Sequence, residues 1–80
     1  MSSANLAVGV KSFAIVPHAS TLMERAARAI YVGTAGNVEV VHRDGTTCIW
    51  PNVPAGGYIL CEAVRINPAG TTASNLVGVV

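Results

Sequence analysis

Two histidines, His18 and His42, and two cysteines, Cys48 and Cys61, are the side chains here with the most scope for nucleophilic or metal chemistry. A cysteine–histidine nucleophile needs a third, orienting group and an oxyanion site. Nothing in the spacing supplies either. A zinc site needs four ligands, usually built on short Cys or His pairs. His42, Cys48 and Cys61 are separated by 5 and 12 residues, with no paired motif. Free cysteines most often serve as small core side chains, and that role is expected of both. One geometric alternative exists. If residues 46–50 and 58–66 formed a hairpin with Trp50 opposite Ile59, Cys48 would fall opposite Cys61. An optional cross-strand disulfide could then form.

The four carboxylates are Glu24, Glu39, Asp44 and Glu62. A glycosidase would need two of them facing one cleft. Asp44 belongs to an Asp-Gly turn, and Glu39 and Glu62 are expected to face solvent from different strands. The glycines fit neither GxxxxGK[ST] nor GxGxxG. Arg25 and Arg28 are expected on a solvated or subunit-contacting face, or as a pair meeting an acidic partner surface. Trp50, between Ile49 and Pro51, is expected in the core or in an interface. No catalytic, cofactor-binding or metal-binding set emerges, so the chain is expected not to be an enzyme and to need no cofactor.

The elements that carry these residues are mostly strands. Runs at 11–16 (KSFAIV), 28–32 (RAIYV), 37–42 (NVEVVH), 46–50 (TTCIW), 58–66 (YILCEAVRI) and 76–80 (LVGVV) are rich in β-branched and aromatic residues, with Gly or Pro between them. Val38 and Val40 share one face of their run, with Glu39 on the other. Thr34-Ala35-Gly36 and Asp44-Gly45 are short enough for two hairpins. Residues 20–29 (STLMERAARA) give the one helical signal. With so little to bury it is expected as a turn or a short helical piece. About six short strands with closely spaced turn signals predict an all-β fold, a small antiparallel sandwich or barrel at 11–80. Residues 1–10, with Leu6, Val8 and Val10, are expected to form an extended N-terminal arm that packs on a neighbour.

Composition narrows the function. The 80 residues are 51% hydrophobic and 11% charged, with a net charge of +1; ordinary domains carry about 25% charge. Five cations against four anions cannot make the phosphate-neutralising patch of a nucleic-acid binder. Twelve Ala and twelve Val with so few charges exclude a disordered chain. No apolar run approaches the ~18–20 residues of a membrane-spanning helix, and the first residues do not read as a secretory signal. A domain of this size buries only about 60% of its unfolded surface. With so little charge to keep the remainder wet, that surface is expected to be covered by other subunits.

Three stretches, at 27–40 (ARAIYVGTAGNVEV), 51–60 (PNVPAGGYIL) and 66–79 (INPAGTTASNLVGV), give the chain a likeness. It resembles the head-spike base proteins of gene transfer agents and of related tailed phages of marine alphaproteobacteria. The match runs through most of 11–80 in order: a strand ending in Pro, an RA-aromatic-VG strand, a Gly turn, an NVPAG loop and a GTTA loop before a Val-rich end. The resemblance implies a non-enzymatic virion protein on the outside of an icosahedral capsid, made in the bacterial host cytoplasm. Its implied partners are the major capsid protein, sister subunits in a homo-oligomer, and a head fibre protein. A capsid cement or decoration protein would use the same small β fold. The residues expected at such interfaces are Leu6, Val8, Val10, Arg25, Arg28, Trp50 and Tyr58. The alternative function is a carbohydrate-binding module for host surface glycans, which would use Trp50, Tyr58 and Tyr31 as exposed aromatics around a groove.

Overall fold

The structure, a computed structural model, describes residues 11–23 and 25–80. It holds seven strands in chain order: β1 Ser12–Ala14, β2 Ala29–Thr34, β3 Gly36–Val41, β4 Thr47–Val53, β5 Gly57–Ile59, β6 Arg65–Asn67 and β7 Ser74–Val79, with a 3-10 turn at Pro68–Gly70. All pairings are antiparallel. They build a four-stranded sheet in the order β1-β7-β2-β5 and a three-stranded sheet in the order β4-β3-β6.

The two sheets pack face to face. Ile30, Val32, Ile59 and Leu76 from the first sheet meet Val38, Val40, Val53 and Ile66 from the second in one buried cluster. Alternation on β3 places Val38 and Val40 inward with Glu39 opposite, as the pattern predicts. The all-β sandwich therefore stands as expected, with one strand more than the sequence suggests. The extra strand arises because the run at 58–66 is not continuous. It stops as β5 at Ile59, crosses between the sheets, and resumes as β6 at Arg65. Ala63 marks the crossing. It pairs with Ala27 through two backbone bonds of 2.9 and 3.0 Å, and both residues are fully buried. Two small side chains let these backbones meet inside.

The Asp-Gly hairpin forms and joins β3 to β4. The His42 carbonyl accepts from Gly45 N–H at 3.0 Å, and Gly45 adopts φ +91. Asp44 Oδ1 accepts from the Thr46 N–H and hydroxyl. This is a three-residue hairpin loop with glycine in the left-handed position. The hairpin expected at 34–36 does not form. β2 and β3 lie in different sheets, and Ala35 carries the chain across. Gly36 sits so close to the loop before β7 that a Cβ there would lie 2.5 Å from the Ala73 nitrogen. That approach turns the chain onto the other sheet. The hairpin between 46–50 and 58–66 is also absent, since β4 pairs with β3 and β5 with β2. Cys48 therefore lies opposite Val40 rather than Cys61, and both cysteines are free. Among the described residues of 20–29 none is helical. Met23 N–H instead bonds to the Val64 carbonyl, which ties this segment to the entrance of β6. The expected arm at 1–10, with Leu6, Val8 and Val10, lies outside the described residues.

Candidate interaction surface

The polar side chains that could do chemistry are used in turns. His18 Nδ1 accepts from the N–H groups of Ser20 and Thr21 at 3.1 and 2.9 Å. His42 Nδ1 lies 2.9 Å from the Glu62 carbonyl, an acceptor, so this ring nitrogen is the donor. The two imidazoles thus take opposite roles, His18 within its own turn and His42 toward the distant segment before β6. Arg43 donates to Glu62 at 2.7 Å in an exposed ion pair, which draws the Glu62 carboxyl below its usual range. The Thr46 hydroxyl and N–H do the same to Asp44. Burial pushes the Cys61 thiol up, helped by nearby Cys48. Among the described residues, no cluster of three or more His, Cys, Asp or Glu could hold a metal.

The three stretches that carry the family likeness converge on Asn37. Its Oδ1 accepts from Asn52 N–H in the NVPAG loop at 3.0 Å. Its N–H donates to the Thr72 hydroxyl in the GTTA loop at 2.8 Å, and its carbonyl accepts from Thr72 and Ala73 N–H groups. Next along β3, Glu39 N–H donates to the Thr71 hydroxyl at 3.0 Å. The motif residues therefore bolt the crossings between sheets together. Asn52, with φ 54, is held by that bond to Asn37.

What remains for function is surface. The outer side of the four-stranded sheet is apolar. Register aligns Ala14, Val77, Tyr31 and Tyr58 in one row across it, and Ser12, Val79 and Ala29 in the next. The two tyrosine rings meet edge to face at 5.4 Å. None of these seven residues is charged. The outer side of the three-stranded sheet differs, with Glu39, Asn67, Thr47 and Arg65 among its residues. A second apolar region lies where β4 and β5 run as neighbouring borders of the two sheets. Tyr58 and Leu60 are 59% and 76% exposed there, while Ile49, 50% exposed, faces out from the three-stranded sheet opposite Glu39. A third is a groove of about 270 Å³ beside β1, lined by Phe13, Val16, Leu22 and Met23 among others.

The expected interface residues divide among these regions. Tyr58 belongs to the first two. Trp50 is half-buried, opposite Val38 and packed on the core, so it belongs to the inner side of its sheet. Trp50 and the Tyr31–Tyr58 pair thus lie on different faces and form no common platform of the kind a glycan site would use. Arg25 is exposed and sits with Lys11 around a small hollow over Phe13 and Val80. Arg28 is exposed at the start of β2, its N–H bonded to the Val79 carbonyl. Sequence reasoning missed the exposed Val16, Leu22, Ile49 and Leu60. Alternation could have marked Ile49, two residues from Pro51 in a run with no charge.

The domain thus presents an uncharged outer side on its four-stranded sheet and a polar one on its three-stranded sheet. No family model matches the chain, and no curated protein matches it. Among solved structures it is similar to a chain of the capsid of a native gene transfer agent (GTA) particle computed with C5 symmetry. The two share 32% identity and a TM-score of 0.82, over 90% of this chain and 83% of that one. The chain belongs to the family of that GTA capsid chain.

Proposed function

We propose that this protein is a non-enzymatic structural component on the outside of a tailed-phage or phage-like icosahedral capsid. It acts there as a cement or decoration protein or as the base of a head spike, through oligomeric contacts with sister subunits and with the major capsid protein. A head fibre protein is a further partner. The observation that carries this reading is the kinship with a GTA capsid chain over 90% of the sequence. The uncharged outer side of the four-stranded sheet supports it, because apolar area of that kind is stable in water only when a partner covers it. The test is co-purification with particles. The protein should band with capsids at fixed stoichiometry through a density gradient, and Tyr31→Arg with Tyr58→Arg should release it while the isolated domain keeps its melting temperature. A wild-type chain that never joins particles would sink the proposal.

A further inference from the structure

We propose that residues 5–10 of one copy add as a strand to the open border of β4 in a second copy. The acceptor comes first. β3 turns the backbone groups of Asn37, Glu39 and Val41 toward β6 and the 70–73 loop, and those of Val38, Val40 and His42 toward β4. Strand alternation then directs Thr46, Cys48 and Trp50 of the hairpin back to β3, and Thr47 and Ile49 outward. Among the described residues β4 pairs with β3 alone. Natural proteins blunt such borders with charge, proline, bulges or short length. β1, β5 and β6 have three residues each, and segment 18–23 covers β6 through bonds from His18 and Met23. β4 has Pro51 and a register shift at its far end. Thr47–Trp50 carries none of these devices and no charge.

The border also opens onto the core. Cys48 lies opposite buried Val40, hence on the inner side of its sheet, and is nonetheless exposed. Half-buried Trp50, two residues along the strand, and half-buried Cys61 lie near it. A strand added here would find a notch on its inner side that takes apolar side chains at every second position.

The donor fits that demand. Asn5-Leu6-Ala7-Val8-Gly9-Val10 has no charge, with Leu6, Val8 and Val10 on one side of an extended strand and the small Ala7 and Gly9 on the other. The six residues cannot all pair with the border of their own copy, because the last of them is tethered beside β1. Val10 is bonded to Lys11, whose carbonyl accepts from Val80 N–H beside β1. β1 and β5 are the opposite borders of the four-stranded sheet, three strand spacings or about 14 Å apart. One Cα step covers only about 3.8 Å. The donor end and the acceptor border are different surfaces, so each copy can give one segment and receive one, by reciprocal exchange in a pair or head-to-tail around a ring.

The inference rests on the proposed structural role only in supposing that copies meet, and its test needs no particles. In full-length protein, Val8→Asp spoils the donor, while Ile49→Pro removes an outward N–H without touching the bonds to β3. Each variant alone should sediment as a monomer, with self-association weakened at least about tenfold. Mixed together, they should form a one-to-one complex, because each retains the half that the other lacks. Melting curves check that both fold, and Ile49→Lys serves if the proline variant does not. A wild-type chain that is monomeric at concentrations on the order of 100 μM, a Val8→Asp chain that associates like wild type, or a mixture that stays monomeric overturns the proposal. Such a result beside normal particle binding would leave the proposed function standing and remove only this mode of assembly.

Discussion

Asn37 concentrates the fold into one residue. It holds the end of β4 through its side chain and the loop before β7 through its backbone. Its neighbour Gly36 makes that possible by lacking a Cβ where the Ala73 nitrogen sits. Gly36→Ala should therefore cost about 1–3 kcal/mol through overpacking against backbone. In a domain of this size each kcal/mol lowers the melting temperature by roughly 4–8 °C, which calorimetry can read. The pH response belongs to this scale too. Hydrogen bonds from Thr46 and from Arg43 hold the folded-state pKa values of Asp44 and Glu62 below their ordinary 3.8 and 4.5. The folded state then binds fewer protons than the unfolded chain near those values, so stability is present above them and lost as pH falls through the lowered ones. Melting temperature should decline below about pH 4.5, and Glu62→Gln should flatten part of that decline. The turn chemistry of Asp44-Gly45 was legible in the sequence because it depends on neighbours in the chain. The role of Asn37 was not, because its partners lie 15 and 35 positions away.

At the scale of elements, the sequence marks strands better than pairings. Alternation around Val38 and Val40 and the breakers at Gly and Pro place most strands within a few residues. Partner choice was legible only for β3 and β4, where the loop itself sets the register. A three-residue linker such as 34–36 looks the same whether it closes a hairpin or carries the chain to the facing sheet. Close approach of a distant loop decides between them. The run at 58–66 reads as one strand because β-branched and other apolar residues dominate it around Glu62 and Arg65, although Ala63 is apolar in order to cross the interior. The aromatic residues likewise separate by element. Trp50→Ala should destabilise by about 2 kcal/mol, below the full cost of a buried aromatic because Trp50 is half-exposed. Tyr58→Ala, at an exposed border, should stay within about 0.5 kcal/mol. Urea titrations of the two variants distinguish them, and equal costs would contradict the assignment of Trp50 to the core.

For the whole molecule, the two outer sides differ in kind. One is apolar and uncharged, and the other carries Glu39 and Arg65. The sparse charge of the composition is therefore not spread evenly, and the side left without it is the one proposed to be covered. The order of strands has a kinetic consequence. Four of the six links between successive strands pass from one sheet to the other, and only β3–β4 is a local hairpin. Little can form before distant parts of the chain find each other, so refolding from denaturant should take on the order of milliseconds to seconds, as in other sandwiches of high contact order. Stopped-flow tryptophan fluorescence reports it through Trp50. During that interval the β4 border and its uncharged neighbours are bare in every newly made copy. Unpaired strand borders of that kind make folding intermediates prone to aggregate, so early cover of this border by the proposed contact would also shorten its exposure.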